Sequence, residues 1–426
     1  MEAFTIFGLF ALFLILRTPI AIAAGLTGVI YMLAQDLLPL TFAPLSAFQG
    51  LDSFTLLAVP FFILAGQIMA TGGIAKQLLK LADALLGAMP GGYALTTILA
   101  SVFFADLSGS GPATVSAIGT IMIPAMDAQR YRRSFAAAVA ACAGCIAVII
   151  PPSNPMVIYG VATGASVGKL FLAGIIPGII VAISLLIPAY IISKKNGWAG
   201  SAVKLSVRKT LWEAKWALLV PVIILGGIYC GICTPTESAA VACLYAAIVG
   251  RYAYKEYTWL EFPRVLRAGV LTMVPIMFII SMAFLFGQVV TLVGLPARMA
   301  EALSTFSNNH LILLLMINLF LLFVGMVMDG AAAITLLAPI LLPLAVACNI
   351  DPVHFGIVMT INLAIGFITP PMGVNLFVAN SLSKEPPLRI FKDATPFVVC
   401  MLIALAIITI FPQTALFLPN LYYGVQ

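Results

Sequence analysis

Two groups of oxygen-bearing residues stand beside helix-breaking ones within stretches that are otherwise apolar. The first joins Asp106, Ser108, Ser110 and Thr114, around the run Ser108-Gly109-Ser110-Gly111-Pro112, with Ile150-Pro151-Pro152-Ser153-Asn154. The second joins Gly325 to Gly330, including Asp329, with Gly366, Thr369-Pro370-Pro371-Met372-Gly373 and Asn375. A Ser-Gly-Ser-Gly-Pro tip cannot remain helical, and a Pro-Pro pair interrupts the helix that carries it. In a bilayer the amides and carbonyls freed by a break need a wet or protein-lined place. Carbonyls at half-helix C-terminal ends coordinate cations, and amides at half-helix N-termini face anionic groups. The chemistry these residues support is ion and substrate binding.

Paired, the breaks make two pseudo-symmetric sites flanking one cavity. Oxygens of Gly325, Gly366, Thr369 and Met372, with Asp329 nearby, can cage one Na⁺. Asp106, Ala147, Ile150 and Ser153 take the equivalent first-half positions, where Ser108, Ser110 and Asn154 add oxygens. No Arg or Lys is placed in the cavity by sequence, so an anionic substrate depends on helix N-termini, hydroxyls, Asn side chains and the bound cation. Ser110, Thr114, Asn154, Thr335 and Asn375 are the substrate candidates.

Other reactive residues read as structural. Cys142/Cys145 and Cys230/Cys233 have CxxC spacing but lack a further Cys pair or a His, and both pairs are read within apolar helices. His310 and His354 stand at loop edges and are unpaired. Glu237, after Thr234-Pro235-Thr236, sits where a carboxylate favours a helix N-terminus.

The elements that must position these residues are membrane helices. The chain is 62% hydrophobic and 8% charged, whereas a soluble domain carries about 25% charged residues. Alternating strands of a membrane barrel are absent. The N-terminus lacks a basic region and a small-residue cleavage site, which predicts a retained first helix.

Shifted by 219 residues, the halves align: Gly111 falls on Gly330, Pro124 on Pro343, Pro151-Pro152 on Pro370-Pro371 and Pro177 on Pro396. Upstream, Thr18-Pro19 answers Thr234-Pro235, and Gly66-Gln67 answers Gly287-Gln288. Duplicated membrane proteins with interrupted helices in both halves are most often secondary transporters.

The first half, 1–192, reads as scaffold spans within 4–71, an amphipathic stretch at 74–89, a hairpin at 93–126, a broken helix at 135–164 and a span at 170–192. A polar linker, 193–216, follows. The second half, 217–426, repeats this with scaffold spans within 217–290, a hairpin at 311–347, a broken helix at 355–381 and a span at 395–418. The hairpin arms read as 14–17 residues, below the roughly 20 needed to cross, so both hairpins are expected to be re-entrant. Each half then has five true spans, and the odd number inverts the second relative to the first. The expected fold is an all-α polytopic membrane protein with an inverted-topology repeat.

Charge gives an independent orientation. With both termini outside, 19 of the 21 Lys and Arg fall on the cytoplasmic side, and only Lys169 and Arg298 fall outside. The amphipathic stretches 74–89 and 251–268 are either interfacial braces or plain connectors.

Four runs together resemble a known family. They are Asp106-Leu-Ser-Gly-Ser-Gly-Pro-Ala-Thr114, Ile150-Pro-Pro-Ser-Asn154, Thr234-Pro-Thr-Glu-Ser-Ala-Ala240 and Ile368-Thr-Pro-Pro-Met-Gly-Val-Asn375. They resemble the large membrane subunit of tripartite ATP-independent periplasmic (TRAP) transporters, along essentially the whole chain. The resemblance implies import of C4-dicarboxylates, other carboxylates or sialic acid, driven by a Na⁺ gradient, across the bacterial inner membrane. It is nearest to the sialic-acid branch. It also implies an elevator movement of the hairpin domain, of the ion-transporter-superfamily kind. The implied partners are a periplasmic substrate-binding protein and a small four-helix membrane subunit. The latter is expected as a separate polypeptide, since no further four-span segment precedes Gln426.

Other classes fit less well. A membrane-embedded enzyme needs clustered His, Asp or Glu, and HExxH is absent. A passive pore does not need two symmetric hairpins. No Walker A loop supports an ATP-driven pump, and the net charge of +6 lies between apolar segments and needs no nucleic acid. The runner-up is a stand-alone Na⁺- or H⁺-coupled carboxylate carrier.

Overall fold

The computed structural model describes residues 2–201, 205–294 and 310–424, all helix, turn and loop with no strand among them. Arg298 and Lys204 lie outside the described residues.

The helices read as scaffold come first in each half. Glu2–Ile15 and Ile20–Ala34 are separate because Arg17 adopts a left-handed φ of 61° just before Thr18-Pro19. Ala58–Thr71 follows, then Ile74–Leu86, and the pair bends by 69° at Gly72-Gly73. In the second half Lys215–Tyr229 and Pro235–Ile248 precede the long Phe262–Leu292. The start of Pro235–Ile248 is fixed by a capping box, in which Thr234 N–H donates to Glu237 Oε2 at 2.8 Å and Glu237 N–H donates to Thr234 Oγ1 at 3.2 Å.

Scaffold packing crosses between halves. Ile20–Ala34 packs on Phe262–Leu292, while Pro235–Ile248 packs on Ala58–Thr71. The halves also meet through Lys76–Glu256 at 3.7 Å and Arg132–Asp393 at 3.2 Å, so basic groups of one half pair with acids of the other.

Hairpin 1 is Gly92–Ser108 and Gly111–Ala128; hairpin 2 is His310–Val327 and Gly330–Ala347. The first broken helix is Arg133–Ile146 and Asn154–Thr163, and the second is Pro352–Gly366 and Val374–Ser383. Both interruptions hold a cis Pro-Pro bond, Pro151-Pro152 and Pro370-Pro371. Packing is again exchanged: Gly111–Ala128 lies on Val374–Ser383, and Gly330–Ala347 lies on Asn154–Thr163. The halves touch at equivalent points, where the Cys145 thiol donates to Ala364 O at 3.0 Å.

Several sequence-based boundaries change. The stretch 35–53 contains a helix, Phe42–Gln49, and the linker contains Val207–Glu213. Linker Trp198 is buried and stacks on Tyr131 with ring centroids 4.6 Å apart, so this segment is anchored by aromatic burial that polar composition hides. The stretch 251–268 is not one helix: a π-turn ends at Ala253, and a new helix begins at Phe262. The last span is two helices, Pro387–Ile410 and Gln413–Tyr423, because Pro412 cannot continue the first. Cys230 and Cys233 lie in the turn before Pro235–Ile248, not within a helix.

Hairpin arms are longer than predicted, at 17 and 18 residues in hairpin 1 and 18 and 18 in hairpin 2. Among the four, only Gly330–Ala347 is long and apolar enough to cross on length and composition. By that criterion four described helices qualify, or up to six if each bent pair is one span. Other expected crossings, among them Ile20–Ala34, Arg133–Ile146 and Pro352–Gly366, are shorter apolar helices.

Candidate functional site

Hairpin 1 turns where Gly109 takes a φ of 53°, so Gly92–Ser108 stops and Gly111–Ala128 starts with Pro112 in its first turn. The tip is held by its own hydroxyls. Ser108 Oγ and Thr114 Oγ1 lie 2.6 Å apart, and Ser110 N–H donates to Ser108 Oγ at 3.3 Å. Asn154, opening the second half of the broken helix, reaches the tip: its Nδ2 donates to Ser108 O at 3.4 Å, and its backbone N–H donates to Gly109 O at 3.4 Å. Its Oδ1 is buried without a partner. A buried acceptor left open costs about 1–3 kcal/mol.

Hairpin 2 turns at Asp329, whose Oδ2 accepts from Ala331 N–H at 2.9 Å and caps Gly330–Ala347. Its first arm runs against the second broken helix at glycine: a Cβ on Gly366 would lie 2.3 Å from Gly325 C. Beside this contact Met372 N–H donates to Met326 O at 3.0 Å and ties the tip to the Pro-Pro break.

Both tips converge on one cavity of about 510 Å³. Hairpin 1 contributes Ser108 to Ala113 and Ser116, the first break Asn154 and Ile158, and hairpin 2 Asp329 to Ala331. The facing wall is Gly66 and Gln67 from Ala58–Thr71, and Thr272 from Phe262–Leu292. Ser108, Ser110, Asn154 and Asp329 are therefore brought together. Asn375 lies behind the tip, where its Nδ2 donates to Ala141 O at 3.0 Å, and its Oδ1 is buried and unpartnered. Thr114 is buried and reaches the cavity only through Ser108.

Other predicted residues stand elsewhere. Thr335 lines a second cavity of about 230 Å³, and its hydroxyl donates to Ala331 O at 2.8 Å within its own helix. Ser153 Oγ donates to Val148 O at 2.5 Å and accepts from Met156 N–H, so it serves the cap of Asn154–Thr163. Ile150 packs its side chain on Gly178. Thr369 Oγ1 donates to Ile365 O at 2.9 Å, and Met372 is half exposed; neither lines the large cavity. Asp106 is one turn before the tip and does not line it either.

Gln67 and Ser116 line the large cavity without having been sequence candidates. For Gln67 a signal existed, since Gly66-Gln67 repeats as Gly287-Gln288. Ser116 carried none, because a lone Ser in a helix is unremarkable until the helix is placed. Among the described residues no three His, Cys, Asp or Glu gather as a metal cluster. The seven cysteines are free, and His354 Nε2 lies 2.9 Å from Ile408 O in the core.

Similarity to known proteins agrees with this arrangement. The chain is 46% identical over 415 residues to the isethionate TRAP transporter permease protein DctMQ of Oleidesulfovibrio alaskensis, an alignment covering 97% of this chain but 65% of that relative. It is 40% identical over 400 residues to the C4-dicarboxylate TRAP transporter large permease protein DctM of Pseudomonas aeruginosa, covering 93% of each. Among solved structures, the YdaH transporter of Alcanivorax borkumensis superposes with a TM-score of 0.65 at 12% identity, covering 88% of this chain and 89% of that one, a likeness of fold alone. A family model for the tripartite ATP-independent periplasmic transporter DctM component matches residues 7–414, and the chain belongs to that family.

Proposed function

We propose that this TRAP large permease is a Na⁺-coupled secondary importer of a small organic anion across the bacterial inner membrane. It takes its substrate from a periplasmic binding protein and works beside a small membrane subunit. The observation that carries the reading is the cavity shared by both hairpin tips and Asn154, with a scaffold wall opposite. A carrier needs a site built on one body that faces another, and interrupted helices supply ion-binding backbone there.

Na⁺ is a co-substrate in this scheme, and its ligands are oxygens. Asn154 Oδ1 and the Ser108 and Ser110 oxygens are the first-half donor set in this scheme. In the second half the Gly325–Gly366 contact brings two backbones together, and the donating Thr369 hydroxyl keeps its lone pairs for a cation. Ser110 and the amides at the start of Gly111–Ala128 offer donors to an anion.

The reciprocal packing of the halves supports an inverted repeat, and in this scheme the hairpin domain moves as an elevator against the scaffold. The distribution of Lys and Arg along the chain, with Lys76 and Arg132 among those assigned to the cytoplasmic side, supports termini in the periplasm. The names of the two relatives favour a short sulfonate or C4-dicarboxylate, with sialic acid as the larger candidate.

The test is uptake of labelled isethionate, succinate and sialic acid by proteoliposomes holding the chain and its small partner. Inward Na⁺ gradient and binding protein are each supplied or withheld. Accumulation that needs both is expected. Accumulation without the binding protein makes the chain a stand-alone carrier, and mere equilibration makes it a pore.

A further inference from the structure

The two cavities are lined by equivalent residues. Ile63, Gly66, Gln67 and Ala70 line the large one, and Phe284, Gly287, Gln288 and Thr291, each 221 positions later, line the small one. Ser116 in the large cavity likewise answers Thr335 in the small one. What faces these equivalent scaffold segments differs. Ala58–Thr71 packs on the first arm of hairpin 1, and Gly66 meets its end directly: a Cβ there would lie 2.8 Å from Leu107 O and 3.0 Å from Ser108 Cα. Phe262–Leu292 packs instead on the second arm of hairpin 2, and among the described residues nothing lies within 4 Å of a Cβ on Gly287. The residues of hairpin 2 equivalent to Leu107 and Ser108 are Met326 and Val327, yet Thr335 and Pro339 share the cavity with Gly287.

We propose that Gly66 and Gly287 are paired positioning residues, each the seat for one hairpin tip in one of two access states. In the state described here hairpin 1 is seated on Gly66, and no described residue occupies the Gly287 seat. In the other, Met326-Val327 sits on Gly287 and Leu107-Ser108 has left Gly66. At Gly66 tip backbone approaches to a distance that a Cβ would occupy, and Gly287 meets the same approach in the other state. Bringing hairpin 2 from Thr335–Pro339 to its tip is a displacement of about 10 Å, roughly seven residues of helix at about 1.5 Å each. The proposal rests on the two-state carrier reading, and its test reads geometry without any substrate.

The experiment introduces Gln288→Cys and Met328→Cys into a chain whose seven native cysteines are replaced, reconstituted with its small partner, and measures cross-linking by a short bismaleimide. Gly66→Val is expected to raise the cross-linked fraction roughly tenfold by overpacking the occupied seat, and Gly287→Val to lower it by a similar factor by overpacking the other. If Gly66→Val fails to assemble, Gly66→Ala takes its place, because its single Cβ already meets Leu107 O. Opposite shifts support the seats even if no tested anion is transported. A fraction that neither substitution changes, or that both change in the same direction, overturns them.

Discussion

Hairpin 1 and hairpin 2 occupy equivalent places in the sequence and solve the same problem with different groups. Hairpin 1 satisfies its tip with side chains: Ser108, Thr114 and Asn154 bond among themselves and to exposed backbone. Hairpin 2 uses a single carboxylate cap, Asp329, and a glycine contact in which Gly325 and Gly366 bring two backbones together. The repeat fixes where helices break, while the means of satisfying each break varies. Side-chain oxygens therefore dominate at one tip and a capping carboxylate at the other, while glycine lets backbone approach closely at both.

The largest expected effect breaks the glycine contact. Gly366→Val forces atoms into Gly325, at a cost above the ~1–3 kcal/mol of ordinary overpacking, and recovery of monodisperse protein should fall sharply. The equivalent first-half residue is Ala147, already buried with its Cβ, so Ala147→Gly should cost only about 0.5–1 kcal/mol in thermal unfolding. Equal sensitivity at both positions would erase the distinction.

Next in size is the charge at hairpin 2. Asp329→Ala should remove a cap worth about 1 kcal/mol and lower Na⁺-driven uptake roughly tenfold, whereas Asp329→Asn should keep the cap and still lose uptake. Unchanged uptake in the Asn variant would reduce Asp329 to a cap. Thr369→Ala should likewise slow uptake with assembly intact, and an unchanged Na⁺ dependence in both variants would dismiss the second ion site.

A smaller effect separates the two asparagines. Asn154→Ala should raise the apparent KM about tenfold, because Asn154 lines the cavity and its amide holds the hairpin 1 tip through Ser108 O. Asn375→Ala should shift the thermal midpoint by the equivalent of about 1–3 kcal/mol and leave KM within about twofold, since its amide supports Ala141 O from behind. The smallest is Thr335→Val, expected to leave uptake within about twofold, because its hydroxyl is already spent on Ala331 O. A large loss there would place Thr335 on the substrate's route.

Much of the architecture was legible before any coordinates. Each predicted break coincides with an interruption between helices, because Gly-Ser tips and Pro-Pro pairs act locally on backbone hydrogen bonding. Phe42–Gln49 and the anchored linker were missed, since the first is short and the second depends on Trp198 finding Tyr131 across the fold. Site residues were less legible than breaks. Ser108, Ser110, Asn154 and Asp329 converge as their clustering suggested, but Thr335 and Gln67 could be assigned to separate cavities only by seeing which helix faces which.

The sequence by itself determined the membrane class, the duplication and the positions where helices must stop, because composition and chain stiffness are properties of neighbouring residues. Only the tertiary structure decided which tip rests on the scaffold. Equivalent residues of an internal repeat carry the same local preferences, and nothing local distinguishes Gly66 from Gly287. The difference arises when hairpin 1 packs against one and leaves the other facing a cavity.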